Sequence, residues 1–550
     1  MYKSNNILYG TMSNLDIITY VICNAFLNKT NKNPILPSPK NIEIRIPKGT
    51  FGVFVTVREN GDRLYGCIGN FDLQKRFLET KVILEQVKEL SYKSANEDER
   101  FQNRDRPLVE NVDATFEVSF MQSPTMEINR KTGMFLYQNR MTKYQNDKFG
   151  IIYIADTGKT TTFLPNVFPN GDWSQIQLEL KKKSGTRGNL YGKFLAFTTA
   201  KTKNSIRNTI FSDAYLDFYI TNSVKTITKY FQELNYVPYS LKSNGQEAFV
   251  NKNEYVRNIA TLYDLLRFNL KKDQNLFNLI ITTLKDIKPF IIKSLSVNHA
   301  KRTNNNSLPG YSAIAFYLLC LTHLYHNQQQ QGGLIRDIKN FLFQNIVNME
   351  HEFELPECLI ALCYVSTRKD EKKILLHKLH DLLEENQKKE QLIRKIKEGK
   401  KQKLFKNESD YKIIRGAIFQ KNWISKYIYT LYIKQIGLPD DFKENVTSLK
   451  KEMISFKKYF QDQYMETNEI AVCFEGLCSL LYITPFEKDD RTFDQIWNLF
   501  LELNCRMKDF LFYFIQDKTF RIDITGHVLN GIYVLYMMNK SIKQKYITST

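Results

Sequence analysis

The sequence predicts two folded parts, an α+β part followed by an all-α part. The chain has 550 residues, more than the roughly 250–300 at which a single hydrophobic core usually stops growing. Hydrophobic residues make up 43% and aromatic residues 13%, with 23 Gly and 14 Pro. This composition excludes a largely disordered or collagen-like chain. Strand patterns occur before about residue 240, and long apolar stretches with helical spacing follow from about residue 254.

The first part alternates between helix and strand patterns. Apolar residues at helical spacing predict helices over 14–27 and 74–93, and a third over 173–183 that ends at Gly185. Asn60-Gly61 and Asp156-Thr157-Gly158 lie between strand-like runs and predict hairpin turns, because these residues tolerate positive φ. The predicted strands cover 51–57, 64–69, 114–121, 150–155 and 160–163.

The second part contains six apolar helices rich in small residues. They begin near Tyr255, Tyr311, Leu355, Asn422, Asn468 and Asp523. More polar amphipathic helices are predicted between them, for example over 334–347, 442–460 and 492–514. An (α/α)6 toroid needs this alternation of inner and outer helices, whereas an open α-solenoid has the same local pattern without closure. We expect a linker over 236–253 and a toroid over 254–550, with the solenoid as the alternative.

Positive charge is spread along the chain. The formal net charge is +20 and the pI is about 9.3, and residues 1–240 hold 32 basic and 23 acidic side chains. One local run, from Lys388 to Lys406, has nine basic and two acidic residues and resembles an insertion over 388–407. It is either a solvated helix or an arm that binds a polyanion such as RNA or DNA. The residues available for such binding are Lys388, Lys389, Arg394, Lys395, Lys397, Lys400, Lys401 and Lys403.

The first ten residues, the apolar runs and the cysteines predict the cellular compartment of the protein. The first ten residues contain no apolar leader segment, and no run approaches the roughly 18 apolar residues of a spanning helix. The eight cysteines are sparse, lie mostly in apolar helical patterns and lack zinc-site spacing. These features predict buried thiols, no metal, no membrane contact and a cytoplasmic location, or a nuclear one in a eukaryote.

The most distinctive short motif is a cysteine that lies between two glycines. It occurs in Leu64-Tyr65-Gly66-Cys67-Ile68-Gly69, where the glycines allow the backbone to approach another group closely. Cys67 could be a nucleophile or ligand thiol, yet no histidine precedes His299 to act as its base. A cation such as Arg63 or Arg100 would have to stabilise the thiolate. The alternative is that Cys67 is a small buried residue where two elements pack tightly.

The same segment resembles the Leu-Arg-Gly-Cys-Ile-Gly signature of the AMMECR-one domain family. Further stretches resemble the family in the same order, over about the first 235 residues: Ala95–Phe101, Pro107-Leu108, Val118-Ser119, Gly158–Val167, Trp173 and Lys183-Ser184-Gly185. The resemblance implies an α+β domain over 1–235, with a mixed sheet packed by helices and a small subdomain.

The resemblance also implies a shared cleft. Cys67 and Arg100 would carry its chemistry, and the binding residues would be Tyr65, Gly66, Gly69, Phe101, Phe163, Leu164, Pro165, Asn166 and Trp173. Two positions depart from the family pattern, because Tyr65 replaces the signature arginine and Asn166 replaces a glutamine. A tyrosine stacks and donates hydrogen bonds but carries no cation, so Tyr65 cannot hold an anionic ligand as arginine does.

Polar residues near the starts of the inner helices would face a common toroid cavity. The candidates are Glu357, Trp423, Glu469, Asp523 and His527. Glu469 and Asp523 could act as paired acids on a sugar that stacks on Trp423; acids at helix starts equally serve as caps.

Three functions therefore stay open. The first is a ligand-binding or thiol-dependent domain that takes a small molecule or a protein, assisted by the toroid. The second is a non-catalytic adaptor for proteins or RNA, and the third is a carbohydrate-active toroid. The sequence does not decide whether the chain is an enzyme, and it identifies no cofactor.

Overall fold

The computed structural model describes residues 17–27, 35–39, 44–59, 63–75, 77–99, 111–136, 143–168, 172–185, 192–234, 240–242, 255–269, 272–297, 308–325, 332–347, 349, 354–398, 408–438, 442–459, 466–484, 491–514 and 519–549. The chain divides into two compact units, Met1–Ile210 and Phe211–Thr550. The first unit is α+β and the second is almost entirely helical, so the predicted order of fold classes is confirmed.

A six-stranded sheet forms the centre of the first unit. Its order is β2-β1-β3-β6-β4-β5, and every pair of neighbours is antiparallel. The expectation of a mixed sheet is corrected in this respect. The strands are β1 (Thr50–Glu59), β2 (Arg63–Phe71), β3 (Thr115–Ile128), β4 (Gly150–Ala155), β5 (Thr160–Phe163) and β6 (Gly192–Ser205). The helices are α1 (Ile17–Ala25), α2 (Thr80–Asn96), α3 (Trp173–Ser184) and α4 (Ile206–Ile210).

Two hydrophobic clusters pack against different parts of this sheet. One contains Phe51, Phe54 and Leu164, with Cys67 packed against it. The other joins α3 to β4 and β6 around Trp173. Asp172 caps the start of α3. Gly185, at φ 66°, ends the helix, as the sequence predicts.

The second unit alternates between outer and inner helices. The outer helices are α5 (Asp213–Leu234), α7 (Gln274–Leu295), α9 (Gly332–Asn345), α11 (Lys369–Glu398), α13 (Phe442–Ser455) and α15 (Thr492–Asn504). The inner helices are α6 (Tyr255–Phe268), α8 (Tyr311–Tyr325), α10 (Glu354–Val365), α12 (Glu408–Ile433), α14 (Thr467–Ile483) and α16 (Ile522–Ser549). A 3-10 turn, Phe456–Tyr459, follows α13.

The inner helices contact one another in a closed cycle. Each packs against the next in chain order, and α16 packs back against α6. They are largely buried: every residue of α14 except Tyr482 is buried. Helix α5 packs against α16 and α6, and the Tyr219 hydroxyl on α5 hydrogen-bonds to Asn504 Oδ1 over 3.1 Å. The second unit therefore begins before the predicted boundary at residue 235.

A four-stranded sheet in the second unit was not predicted. Its strands are β7 (Ser240–Leu241), β8 (Met507–Lys508), β9 (Leu511–Phe514) and β10 (Thr519–Arg521), in the order β7-β10-β9-β8. The predicted helix over 492–514 ends at Asn504. Asp509 and Phe510 then take positive φ values of 51° and 64°, and this backbone geometry forms a tight hairpin turn.

We expect Gly66→Ala to destabilise the first unit by about 1–3 kcal/mol, the usual cost of overpacking a closely packed site. A Cβ at this position would overlap the Ser94 carbonyl oxygen of α2, and backbone atoms cannot rotate away. Chemical denaturation of the full chain, followed by circular dichroism, measures the effect. Gly416→Ala is the matched control, because a Cβ there meets nothing within 4 Å. A Gly66→Ala chain as stable as the parent would contradict this prediction.

Candidate functional site

A cavity of about 350 Å³ lies among the inner helices of the second unit. It has an aromatic wall on α12 and charged walls on α6, α10, α14 and α16. Phe419 and Trp423 lie one helical turn apart on α12 and both line the cavity. Cavities of this size, with apolar walls and a few polar groups, are typical of small-molecule sites.

Glu475 on α14 is the most tightly held carboxylate of this cavity. Its side chain is 1% exposed, and Lys426 Nζ from α12 lies 2.7 Å from Oε1. His527 Nδ1 from α16 lies 2.8 Å from Oε2, and Asn422 Nδ2 donates a 3.0 Å hydrogen bond to the same oxygen. Burial opposes ionisation, but Lys426 and His527 outweigh it and lower the pKa of Glu475 to about 2. Glu475 is therefore ionised at neutral pH.

Asp264 on α6 is held differently. Asn530 Nδ2 donates a 3.1 Å hydrogen bond to its Oδ1, and Arg267 Nη1 donates a 2.6 Å hydrogen bond to Asn530 Oδ1. Burial, assisted by the negative charge of Glu475, raises the pKa of Asp264 to about 6. A Cβ added at Gly526 would lie 2.8 Å from Asp264 Oδ2, so the glycine makes room for this carboxyl group.

Glu357 on α10 is a third carboxyl group of the cavity. Burial raises its pKa to about 7, against the lowering effects of a hydrogen bond with Ser312 and of the Lys426 charge. Among the residues that the structure describes, neither Glu357 nor Asp264 forms an ion pair within 4.0 Å. Both carboxyl groups are thus available to a ligand, and both interact electrostatically with Lys426.

Four of the five cavity candidates from the sequence, Glu357, Trp423, Asp523 and His527, line the cavity. Asp523 is bound by Arg521, whose Nε and Nη2 lie 3.1 and 2.9 Å from the two carboxylate oxygens. Glu469 is instead completely buried and forms a capping box with Glu466 at the start of α14. Arg415 Nε lies 2.9 Å from Glu469 Oε1. Glu469 is therefore engaged in holding α14 and Arg415.

Sequence reasoning missed Asp264, Lys426 and Glu475. Each lies in the body of its helix, whereas the sequence-based prediction rests on polar residues near helix starts. A usable signal was present, because Glu475 is the only charged residue between Glu469 and Ile483 of the apolar helix α14. A lone charge on a helix that is buried all round requires a partner.

Cys67 lies in the middle of β2 and is half-buried. The Thr56 hydroxyl on β1 lies 3.2 Å from its Sγ, and the Cys67 N–H donates a 2.9 Å hydrogen bond to Asp98 Oδ2. The next N–H, of Ile68, donates to Ser94 Oγ on α2 over 3.1 Å. Asp98 and Ser94 thus hold the backbone of β2 at Cys67 and Ile68.

The other predicted cleft residues of the first unit occupy several places. Leu164 shares the cluster on which Cys67 packs, whereas Phe163 and Trp173 belong to the other cluster. Trp173 Nε1 donates a 2.8 Å hydrogen bond to the Arg130 carbonyl. Arg100 and Phe101 lie outside the described residues. Of the rest, Gly66 and Pro165 are buried, Tyr65 and Gly69 are partly exposed and Asn166 is exposed.

The basic run lies partly on α11. Lys388 is exposed there, and Lys389 Nζ lies 3.0 Å from Glu385 Oε1. Glu390 is 8% exposed and lies 3.0 Å from the buried ammonium of Lys421. The first half of the basic run thus forms part of the outer helix α11. The side chains of three residues on α11 lie outside the described part of the structure: Arg394, Lys395 and Lys397. Three further residues lie outside it entirely: Lys400, Lys401 and Lys403.

A family model matches most of the first unit. Residues 16–201 match the family model described as AMMECR1. The predicted resemblance is therefore confirmed over this range, which includes Cys67 and Trp173.

A solved structure, an uncharacterized protein from Pyrococcus horikoshii, aligns with 34% of this chain and 88% of its own, at 20% identity and a TM-score of 0.24. A search of curated proteins found no match.

Three further observations concern the cysteines, metal-binding clusters and membrane-spanning helices. None of the eight cysteines, each in a described segment, forms a disulfide, and six of them are buried. In the described part of the chain, no three His, Cys, Asp or Glu side chains come together as a metal site. No described helix has the length and hydropathy that crossing a membrane requires.

We expect Glu475→Gln to lower the pKa of Asp264 below its value of about 6, because the substitution removes a nearby negative charge that stabilises the protonated carboxyl group. Carboxyl-carbon NMR titration of the selectively labelled protein measures this change. Glu371→Gln is the control, since Glu371 is a buried carboxylate bound to Lys339 on an outer helix. An Asp264 pKa that is unchanged or higher in Glu475→Gln would contradict the assigned coupling.

Proposed function

We propose that the second unit is an (α/α)6 toroid whose cavity hydrolyses a glycosidic bond by general acid–base catalysis. One observation carries the proposal: two half-buried carboxyl groups, Asp264 and Glu357, face the same cavity without an ion pair among the described residues. The aromatic wall of Phe419 and Trp423 supports a sugar as the ligand, because aromatic rings pack well against the apolar faces of sugars. The closed cycle of inner helices supports the toroid over the open solenoid.

The pKa values assign the two roles. Glu357, with a pKa of about 7, is the general acid that donates its proton to the glycosidic oxygen as that bond breaks. Asp264, with a pKa of about 6, is the general base that takes a proton from the attacking water. The water oxygen forms the new bond to the anomeric carbon, so both proton transfers and the bond exchange balance.

Glu475 would act through its neighbours. Its carboxylate balances the charge of Lys426, which lies 2.7 Å away, and its other oxygen lies 2.8 Å from His527 Nδ1. Without Glu475, the Lys426 ammonium would favour the ionised forms of Asp264 and Glu357. We infer that Glu475 keeps Glu357 protonated near neutral pH. This assignment replaces the Glu469 and Asp523 pair that the sequence suggested, since both of those carboxylates are held by arginines.

We expect hydrolysis to require both carboxyl groups. Release of 4-nitrophenol from the 4-nitrophenyl glycosides of glucose, galactose, mannose, N-acetylglucosamine and glucuronic acid measures activity. Glu357→Gln and Asp264→Asn should each lower kcat by about 100-fold or more, a typical loss for a general acid or base. The rate should rise with pH through about 6 as Asp264 ionises, and fall through about 7 as Glu357 loses its proton.

One variant on an outer helix controls for general damage. Glu371→Gln should retain the parent rate, because Glu371 lies on α11 and is bound to Lys339 and Arg368. Activity that persists in Glu357→Gln and Asp264→Asn, or no release from any of the five glycosides, would contradict the proposal.

A second candidate function is ligand binding at Cys67 of the AMMECR1 domain. It is favoured by the half-exposed thiol and by Thr56, whose hydroxyl lies 3.2 Å from the sulfur. The domain would then act as a binding module for a small molecule or a protein.

We expect N-ethylmaleimide to modify Cys67 in the folded chain before any of the six buried cysteines, because alkylation requires access to the thiol. The experiment uses a Cys505→Ser background, since Cys505 is the exposed cysteine, and mass spectrometry locates the adduct. Cys67→Ser in the same background is the control. Equal labelling of Cys67 and the buried cysteines would show that the thiol is not accessible to a ligand.

A further inference from the structure

His527 keeps one ring nitrogen available to a ligand. Its Nδ1 lies 2.8 Å from Glu475 Oε2, and the side chain, 19% exposed, lines the cavity. An ionised carboxylate accepts hydrogen bonds but does not donate them, so Nδ1 carries the proton in this contact. In the neutral imidazole, Nε2 is then a hydrogen-bond acceptor. Within the described part of the chain, Nε2 has no hydrogen-bond partner.

The orientation of this imidazole is set before a ligand arrives. Glu475, which is 1% exposed, is also held by Lys426 Nζ at 2.7 Å from its other oxygen and by a 3.0 Å hydrogen bond from Asn422 Nδ2. A buried carboxylate anchored in this way keeps the histidine ring in one position. A group that is already ordered loses little conformational entropy when it binds a ligand.

Asn468 is a second polar side chain of the cavity that lacks a protein partner. It lies in the first turn of α14, two helical turns before Glu475, and therefore on the same face of the helix. It lines the cavity and is 8% exposed. Its Oδ1 accepts no hydrogen bond from any residue that the structure describes. A buried acceptor without a donor costs free energy, and a ligand that donates a hydrogen bond removes that cost.

The two acceptors require a ligand that donates hydrogen bonds. Hydroxyl groups and ammonium groups are the common donors of small molecules. An ammonium group is disfavoured beside His527, because the ammonium group of Lys426 already lies against the same Glu475 carboxylate and like charges repel at short range. Hydroxyl groups carry no charge and fit both positions.

We propose that His527 and Asn468 bind the ligand of this cavity by accepting hydrogen bonds from two of its hydroxyl groups, and thereby select a sugar in which both hydroxyl groups are unsubstituted. The inference rests on the proposed function only in taking a sugar as the ligand of the same cavity. Neither residue takes part in the proton transfers assigned to Glu357 and Asp264, so both are specificity-determining residues.

Isothermal titration calorimetry with the Glu357→Gln chain, in which hydrolysis is disabled, tests this. The probes are the five 4-nitrophenyl glycosides and then the deoxy analogues of the tightest-binding one, each of which lacks a single hydroxyl group. We expect two of these hydroxyl groups to be recognised. Loss of either should weaken binding about fivefold or more, the factor that one net hydrogen bond supplies.

His527→Asn separates the contact with the ligand from the contact with Glu475. The amide of asparagine can donate to Glu475 in place of Nδ1, but it has no atom at the position of Nε2. In the Glu357→Gln background this variant should bind the glycoside about fivefold or more weakly. It should also bind one of the two deoxy analogues as well as it binds the glycoside. His377→Asn is the matched control and should change neither result, because His377 lies on the outer helix α11 and its side chain is 77% exposed.

Asn468→Leu should weaken binding by a similar factor and remove discrimination against the other deoxy analogue. Its unfolding midpoint in chemical denaturation should equal or exceed that of the parent, because leucine replaces a buried polar group that has no partner. An asparagine with a merely structural role would behave in the opposite way, with a lower midpoint and unchanged discrimination.

Three outcomes would overturn the inference: unchanged discrimination in both variants, a lower unfolding midpoint in Asn468→Leu, or no binding of any of the five glycosides. The two proposals fail separately. Binding with the expected losses, but without hydrolysis of any glycoside by the parent chain, would remove the catalytic proposal alone. Hydrolysis with an unchanged KM in His527→Asn and Asn468→Leu would remove this inference alone.

Discussion

Glu475 lies in the interior of the second unit with 1% of its side chain exposed, and its charge must be balanced there. The balancing groups come from two other inner helices: Lys426 and Asn422 from α12, and His527 from α16. Removing one partner of a buried ion pair leaves an uncompensated charge, which is strongly destabilising. The Glu475 carboxylate thus fixes the axial position and the rotation of three consecutive inner helices, α12, α14 and α16. The same group sets the electrostatic environment of Asp264 and, through Lys426, of Glu357.

This arrangement depends on small residues between the helices. Gly476 follows Glu475, and a Cβ there would lie 3.1 Å from Asn422 Oδ1. A Cβ at Gly531 on α16 would lie 3.3 Å from the Glu475 Cα. Since the glycines lack that atom, α12 and α16 can both approach α14 closely enough for their polar side chains to reach its carboxylate. The small residues that predicted the inner helices therefore also allow the charged cluster to form.

The sequence predicted elements whose causes are local, and it failed where the cause is a distant partner. Gly185 stops α3, and β4 and β5 have their predicted bounds, because turn and capping residues lie beside them. The helical pattern of α5 says nothing of its partner, so α5 was assigned to the wrong side of the boundary. Strands β7 to β10 have two to four residues each, too few for a detectable period. The sequence did not predict Asp264 and Glu475 as site residues, because their role in the cavity depends on neighbours from other helices.

The contact between α6 and α16 joins the first and last inner helices of the second unit. During synthesis, α6 leaves the ribosome with one flank uncovered, and that flank stays uncovered until α16 follows. The entropy cost of closing this long loop grows only slowly with its length. The long loop therefore delays the contact between α6 and α16 more than it lowers the stability of the folded unit. In that interval the apolar side of α6 is exposed to other chains, and the cell's chaperones would be needed most for the unfinished ring.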